Sequence, residues 1–175
     1  VERQWEGLPV RAEHEGVSFR RLPLATGAEE PWDRVPYEMV QSPTGIGQLV
    51  GDRANFGVQT YRLLRSMEFD VAHVYLPFAA NVLSTIAPGL RSKMVYTAQL
   101  GELRLNALTD SDSEDASGPD VPAAVKRFSP DVYLAKRAAR TTVLNPHVKG
   151  LFEQSGVPER KLVHVPNGVD VRKFD

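Results

Sequence analysis

The sequence predicts an α/β fold with a Rossmann-like, doubly wound parallel sheet, because short apolar strands alternate with helices along its second half. Residues 70–76, 92–98 and 140–144 are apolar runs of strand length. A helical stretch over residues 79–87 separates the first two, and Asn145-Pro146 opens a helix after the third. Near-continuous apolar strands at this spacing indicate βαβ units in a parallel sheet that is buried on both faces. Three such alternations in succession predict the doubly wound arrangement.

Composition narrows the class of protein. The chain has 175 residues, of which 42% are hydrophobic and 25% charged, the proportions of an ordinary globular domain. No apolar run is long enough to span a bilayer, and the first residues lack a basic-then-apolar signal pattern. The absence of cysteine excludes disulfides and thiolate metal ligands and is compatible with a cytoplasmic location. The sequence contains no basic block with interleaved aromatic residues, so nucleic-acid binding is not predicted. The four histidines are not clustered, so no metal site is predicted.

The first part of the chain carries weaker patterns. Residues 1–16 are polar and charged without a clear period and are interpreted as an irregular lead-in. Residues 17–24 alternate apolar positions and predict a strand near a sheet edge, where Pro23 is tolerated. Residues 25–50 are rich in glycine and proline and predict a loop, whose glycine pair lacks the remaining features of a dinucleotide-binding motif. Residues 49–67 carry apolar side chains at helical spacing and predict a helix.

Two segments connect the later strands. Residues 109–120 hold five acids and three serines and predict a mobile acidic loop, because such a composition cannot bury a core. The acids do not have the spacing of an EF-hand calcium loop. Residues 121–139 restore helical periodicity, with Ser129-Pro130 as the cap and first residue of a new helix. Residues 155–158 turn the chain into the last strand.

The C-terminal stretch ends the pattern with a strand and a turn. Three alternating apolar residues predict a buried strand: Leu162, Val163 and Val165. The next three residues predict a tight turn: Pro166, Asn167 and Gly168. Asn167 and Gly168 can both adopt positive φ, which suits such a turn, and Asp170 can hydrogen-bond nearby backbone.

Four motifs follow one another in order from Phe69 to the C-terminus. They are Phe-Asp-Val-Ala-His73, Val-Tyr-Thr-Ala98, Ala-Arg-Thr-Thr-Val-Leu144 and Val-Pro-Asn-Gly-Val-Asp170. In this order they resemble the N-terminal domain of retaining GT-B glycosyltransferases of the GT4 family. The resemblance covers about the last 110 residues of the chain, and the residues before Phe69 match the family more loosely.

The resemblance implies both a fold and an activity. The chain is expected to be one half of a GT-B fold, the acceptor-side domain of a hexosyltransferase-like enzyme. Such an enzyme transfers a glycosyl group from a nucleotide-sugar to an acceptor hydroxyl of a saccharide, lipid or polyol. Family members carry a glycine-rich loop before this region and a C-terminal GT-B domain that binds the donor. The chain is therefore expected to be an incomplete N-terminal domain over residues 1–175 and inactive alone. No cofactor and no metal is implied, and a lipid acceptor would bring it to a membrane surface.

Two positions depart from the family pattern. A histidine commonly follows the Thr-Ala pair, where this chain has Gln99, and the second histidine of a frequent His-x-His is Tyr75. Glutamine donates and accepts hydrogen bonds but takes no proton at neutral pH. Gln99 is therefore the catalytic candidate, with a weaker polarising role than a histidine has.

The candidate site lies where parallel strands end, because ligands of open α/β sheets bind outside the carboxyl ends of the strands. The residues expected there are Tyr75, Pro77, Gln99, Gly101, Glu102 and Asn145. All except Gln99 are expected to bind the acceptor. The residues expected to form an interdomain turn are Pro166, Asn167, Gly168 and Asp170. His73 is interpreted as a satisfied histidine in a buried strand, and His147 and His164 as structural or surface residues.

Two other functions stay open at this point. A non-catalytic Rossmann-like binding or regulatory domain is favoured by Gln99 in place of the family histidine. A GT-B sugar-nucleotide epimerase is the weaker alternative, because the terminal Pro-Asn-Gly-Val-Asp followed by Phe174 resembles the transferases instead.

Overall fold

The computed structural model describes residues 1–4, 7–23, 42–99 and 129–168. The chain divides into two units. The N-terminal unit comprises Val1–Phe69 and Phe78–Pro88, and the parallel-sheet unit comprises Asp70–Pro77 and Gly89–Asp175. The acidic loop predicted at residues 109–120 lies outside the described residues.

The N-terminal unit begins with a three-stranded sheet in which β3 (Val17–Leu22) is central. This strand pairs in parallel with β1 (Glu2–Arg3) and antiparallel with β2 (Arg11–His14). The strand predicted from residue 17 is confirmed. Its predicted edge position is wrong, because it is paired on both sides and Pro23 lies just beyond its end.

A two-residue hairpin turn at Glu15 and Gly16 joins β2 to β3. Both residues have positive φ, 48° and 79°, which a type I′ turn requires and which suits the twist of a hairpin. The irregular lead-in predicted for residues 1–16 is therefore wrong. Strand β2 could not be predicted from the sequence, because it has no apolar alternation. Three of its four side chains are exposed and only Ala12 is partly buried.

Helix α1 (Pro43–Leu64) begins earlier than the predicted start at residue 49. Ser42 caps it, since its side-chain oxygen accepts a hydrogen bond from the backbone N–H of Gly45 at 3.0 Å. Pro43 follows at the first helical position, where a missing N–H costs nothing. The end of the predicted loop, residues 43–50, is thus helical, because the Ser-Pro start signal lies before the apolar periodicity.

A buried carboxylate lies on α1 in the N-terminal unit. Asp52 is 2% exposed, and its Oδ2 is 3.9 Å from a guanidinium nitrogen of Arg3. Burial raises the pKa of the Asp52 carboxyl, and the charges of Arg3 and Arg53 lower this pKa only in part. Burial also lowers the pKa of Arg3 and of Arg53. Desolvation therefore dominates the electrostatics of this cluster.

Helix α2 (Pro77–Ile86) confirms the helix predicted over residues 79–87, with an earlier start. It approaches α1 closely at Gly57. A Cβ built on Gly57 would lie 2.8 Å from Val82 Cβ and 2.9 Å from the backbone oxygen of Ala79. Both distances are well below van der Waals contact, so the approach of the two helices depends on glycine at this position.

The parallel-sheet unit contains four strands, all parallel, whose order in the sheet follows their order in the sequence. They are β4 (Ala72–Val74), β5 (Met94–Ala98), β6 (Arg140–Val143) and β7 (Leu162–His164). A 3₁₀ turn (Pro88–Lys93) precedes β5, and another (Glu159–Lys161) precedes β7. The predicted Rossmann-like α/β class with a parallel sheet is confirmed.

Two helices of this unit begin as the sequence predicted. Helix α3 (Pro130–Arg137) is capped by Ser129, and α4 (Pro146–Gln154) is capped by Asn145. At the end of α3, the ammonium of Lys161 donates to the backbone oxygens of Lys136 at 2.7 Å and Ala138 at 2.9 Å. Burial lowers the pKa of Lys161, and two nearby arginines lower it further. This lysine therefore satisfies carbonyls that the helix end leaves without intrahelical partners.

The two faces of the parallel sheet differ in burial. The buried face presents Met94, Tyr96, Ala98, Thr141 and Val143, all at 1% exposure or less. The residues that alternate with these are more accessible: His73 and Arg140 are exposed, and Val95 and Thr142 are partly so. In β7 only Leu162 is buried, while Val163 is 41% exposed. The prediction of strands buried on both faces is therefore wrong for β4 and β7.

A buried hydrogen bond ties α3 to the sheet. The hydroxyl of Tyr96 on β5 donates to Asp131 Oδ1 at 2.5 Å, and both residues are almost fully buried. Thr141, on the same face of neighbouring β6, is also fully buried, but its hydroxyl has no hydrogen-bond partner among the described residues. One polar group on this face is thus satisfied and the other is left unpaired.

Candidate functional site

The carboxyl ends of the four parallel strands form one edge of the sheet, here called the carboxyl rim. Its members are Tyr75, Gln99, Asn145 and Val165, which follow β4, β5, β6 and β7 within two residues. All four are exposed. Because the strands run in one direction, these residues lie along the same edge. The structure thus brings Tyr75, Gln99 and Asn145, three of the residues predicted for the site, to a single rim.

Gln99 follows the last residue of β5, one of the two inner strands of the sheet, and is exposed. The amide offers two N–H donors and one carbonyl acceptor. Gln99 can therefore donate a hydrogen bond to a hydroxyl group or accept one from it, but it cannot take the proton of that hydroxyl.

Tyr75 and His73 form a stacked and hydrogen-bonded pair at the end of β4. Their ring centroids are 4.5 Å apart with an interplanar angle of 40°. The hydroxyl oxygen of Tyr75 lies 3.2 Å from His73 Nδ1, and His73 Nε2 lies 2.6 Å from Thr97 Oγ1. Both ring nitrogens of His73 are partnered, as expected of a satisfied histidine. The residue itself is exposed and not in a buried strand as predicted.

Two threonines continue this arrangement along the same face of the sheet. Thr97 Oγ1 lies 2.6 Å from Thr142 Oγ1, and Thr142 Oγ1 lies 3.5 Å from the backbone oxygen of Tyr96. Thr97 and Thr142 are direct partners in the β5–β6 register, so their side chains project from one face. Sequence reasoning missed both threonines. Their only signal in the sequence is a threonine near the end of each of two neighbouring strands, at Thr97 and Thr142, and only the strand register shows that the two are paired.

Two of the predicted acceptor-binding residues also lie at the starts of helices. Pro77 is buried and begins α2, a position that proline favours. Asn145 Oδ1 accepts the backbone N–H of Val148 at 2.8 Å, which caps α4. Capping uses the carbonyl of Asn145 and leaves its amide N–H groups as the part that can meet a ligand. Acceptor binding by both residues stays a prediction.

The remaining predicted residues lie outside the described segments or at the end of the last one. Gly101, Glu102 and Asp170 lie outside the described residues. Pro166, Asn167 and Gly168 are exposed and follow β7. Neither Asn167 nor Gly168 has positive φ, and the turn, which would continue into residues outside the described part, stays a prediction. Their interdomain role stays a prediction.

The described residues contain neither a metal-ligand cluster nor a helix that could span a membrane. Among the described residues, no group of three or more histidine, aspartate or glutamate side chains is placed to hold a metal ion. In the same part of the chain, no helix is long and apolar enough to cross a bilayer.

A four-stranded, all-parallel sheet combined with helices defines a Rossmann-like α/β domain. The chain matches the glycosyl transferase 4-like domain over residues 2–168 and belongs to that family. The match confirms the family indicated by the sequence motifs and extends the similarity from Phe69 back to residue 2. No curated protein and no solved structure gives a significant match.

Proposed function

We propose that this chain is the acceptor-side domain of a retaining, nucleotide-sugar-dependent glycosyltransferase. The observation that carries the proposal is the exposed polar rim, with Tyr75 and Gln99 on neighbouring strands, in a chain of the glycosyl transferase 4-like family. The acceptor is a hydroxyl compound: a saccharide, a polyol or a lipid head group. The proposal places the domain in the cytoplasm, and at the membrane surface where the acceptor is a lipid.

The role of this domain is to hold the acceptor hydroxyl in a reactive position. Fixing two reactants in the correct geometry removes a large part of the entropic barrier of a bimolecular reaction. Gln99 binds a hydroxyl of the acceptor through its amide, and the amide of Asn145 gives a second contact on the next strand. Gly101 and Glu102 follow Gln99 in the chain and are proposed to extend this contact.

The nucleotide-sugar binds mainly to a C-terminal GT-B domain, joined to this chain through the segment that contains Pro166, Asn167, Gly168 and Asp170. The bond between the anomeric carbon and the diphosphate oxygen breaks as the acceptor oxygen bonds to that carbon. Because Gln99 cannot take a proton, the proton of the acceptor hydroxyl passes to the departing diphosphate. Groups that stabilise the diphosphate charge then supply most of the rate enhancement.

A transfer assay tests the proposal. The full-length protein is incubated with a panel of UDP-, GDP- and ADP-sugars and a mixture of saccharide, polyol and lipid acceptors, and products are analysed by mass spectrometry. We expect one donor to give a glycosylated acceptor with retained anomeric configuration. Complete absence of turnover with every donor would refute the enzymatic proposal, and an inverted product would refute the retaining mechanism.

One observation favours a second function, a non-catalytic Rossmann-like binding or regulatory domain. Gln99 stands at the position where the resemblance places a histidine, and an amide cannot carry the charge that an imidazolium carries. Calorimetry with the same nucleotide-sugars separates the two functions. Tight binding without transfer or hydrolysis would favour the second function, and turnover would exclude it.

A further inference from the structure

We propose that Tyr75, His73, Thr97 and Thr142 form one directed hydrogen-bond chain that makes the Tyr75 hydroxyl oxygen an acceptor for a ligand hydroxyl at the carboxyl rim. His73 is the positioning residue in this chain, and Tyr75 is the residue that touches the ligand. The inference rests on the proposed function for the identity of the ligand, an alcohol of the glycosyl acceptor. The direction of the chain is independent of that function.

The four side chains lie on one face of the sheet because of the strand register. His73 is paired with Val95, and Thr97 is two residues further along β5, so His73 and Thr97 are diagonal neighbours on the same face. Thr97 is paired directly with Thr142. The chain of contacts therefore crosses from β4 to β5 and β6, with successive distances of 3.2, 2.6 and 2.6 Å.

Three proton arrangements satisfy the three contacts between side chains, here called inward, outward and mixed. In the inward arrangement Tyr75 donates to His73 Nδ1, His73 Nε2–H donates to Thr97, and Thr97 donates to Thr142. In the outward arrangement every donor is reversed, and His73 Nδ1–H donates to Tyr75. In the mixed arrangement Tyr75 and His73 donate as in the inward one, but Thr97 accepts from both His73 Nε2–H and Thr142, because a hydroxyl oxygen has two lone pairs.

The inner end of the chain favours the inward arrangement. Thr142 Oγ1 lies 3.5 Å from the backbone oxygen of Tyr96, and a carbonyl oxygen only accepts hydrogen bonds. When Thr142 donates to this carbonyl, its lone pairs receive the proton of Thr97. The inward arrangement then makes four hydrogen bonds, one of them long, whereas the outward and the mixed arrangements each make three. Neighbouring hydrogen bonds in such a chain also polarise one another in the same direction.

The outer end of the chain determines what Tyr75 can recognise. With its proton directed at His73, the Tyr75 oxygen offers only lone pairs to a ligand. Tyr75 as a residue is 48% exposed, so a ligand at the carboxyl rim can approach it. The Tyr75 oxygen can therefore accept a hydrogen bond from a hydroxyl of the acceptor other than the reacting one, whose proton passes to the diphosphate. An anion with acceptor atoms alone finds no donor there.

The proton arrangement is measured by ¹⁵N NMR of the histidine side chains, at a pH where His73 is neutral. The His73→Gln variant identifies its signals among those of the four histidines. We expect protonated Nε2 and unprotonated Nδ1. We also expect Thr142→Val, which removes the inner hydroxyl, to shift the population toward protonated Nδ1. Thr141→Val is the matched control, because Thr141 points to the other face and lies outside the chain; it should leave the tautomer unchanged.

Three results would overturn the directed chain: protonated Nδ1 in the unmodified protein, no change in Thr142→Val, or an equal change in Thr141→Val. These readouts need neither substrate nor turnover, so they stand apart from the transfer assay. A merely structural role of His73 would predict no difference between the two valine variants.

Ligand choice is tested by titrating two probes into labelled protein and following the Tyr75 ring signals. Methyl glucoside, which donates hydroxyl hydrogen bonds, should shift these signals, and sulfate, which only accepts, should not. The Tyr75→Phe variant, which keeps the ring and removes the hydroxyl, should weaken the glucoside response about tenfold, the effect of one lost hydrogen bond of ~1.4 kcal/mol. A response to sulfate alone, a response to neither probe, or an unchanged response in Tyr75→Phe would contradict the assignment of Tyr75.

Discussion

The close approach of α1 and α2 at Gly57 predicts that alanine has opposite effects at two glycines of the same helix. At Gly57 the new Cβ would lie 2.8 Å from Val82 Cβ and 2.9 Å from the oxygen of Ala79. At Gly47, also in α1, an added Cβ meets nothing within 4 Å. Gly47→Ala is therefore the matched control, since it gives the helix-propensity effect without the steric effect.

The magnitudes follow from the two opposing contributions. Replacing glycine by alanine inside a helix stabilises by about 0.5–1 kcal/mol. Forcing an extra carbon into a packed contact costs about 1–3 kcal/mol, and here one of the obstructing atoms is a backbone oxygen that cannot rotate away. We expect Gly57→Ala to lower the free energy of unfolding by about 1–2 kcal/mol and Gly47→Ala to raise it by roughly 0.5–1 kcal/mol.

Urea unfolding followed by far-ultraviolet circular dichroism measures both variants. With a urea m-value of about 2 kcal/mol/M, the two unfolding midpoints should differ by about 1 M. Equal stabilisation by both substitutions would refute the close helix approach. A loss at Gly47 as large as that at Gly57 would show that backbone flexibility, and not contact with α2, sets the effect.

Three further substitutions test buried and capping groups. Tyr96→Phe should destabilise the protein by about 1.5–3 kcal/mol in urea unfolding, because the buried carboxyl of Asp131 loses its hydroxyl donor; an unchanged midpoint would show that this bond contributes nothing. Asn145→Ala should cost ~1 kcal/mol through loss of the α4 cap, whereas Asn145→Asp should keep it, and equal losses in both would contradict a capping role. The folded state raises the pKa of Asp52, so the stability of the wild type relative to Asp52→Asn should fall as pH rises from the unfolded value of 3.8 through the raised folded value. A relative stability that rises over this range, measured by unfolding at successive pH values, would contradict the dominance of desolvation at Asp52.

Local signals were enough to predict the parallel-sheet unit. The Ser129-Pro130 and Asn145-Pro146 pairs start α3 and α4 as predicted, because a cap acts through the first turn of the helix alone. The apolar runs over residues 92–98 and 140–144 also lie on adjacent parallel strands as predicted. The carboxyl rim follows from these two facts, since chain direction fixes the edge at which each strand ends.

The features that the sequence did not predict depend on pairing between distant segments. Strand β2 has no apolar alternation and is held by its hairpin with β3. Thr97 and Thr142 are 45 residues apart, and only the β5–β6 register brings their hydroxyls to 2.6 Å. The exposure of Val163 likewise depends on the place of β7 in the sheet, which its apolar sequence does not indicate.

The central claim is that the carboxyl rim holds the acceptor of a glycosyl transfer, and steady-state kinetics of Gln99→Ala in the full-length protein tests it most directly. Ser92→Ala is the control, because Ser92 precedes the opposite end of the same strand and is exposed. We expect Gln99→Ala to lower kcat/KM for the acceptor about tenfold while KM for the nucleotide-sugar stays unchanged, since one lost hydrogen bond is worth ~1.4 kcal/mol. Acceptor kinetics that are the same in Gln99→Ala and Ser92→Ala would contradict the claim.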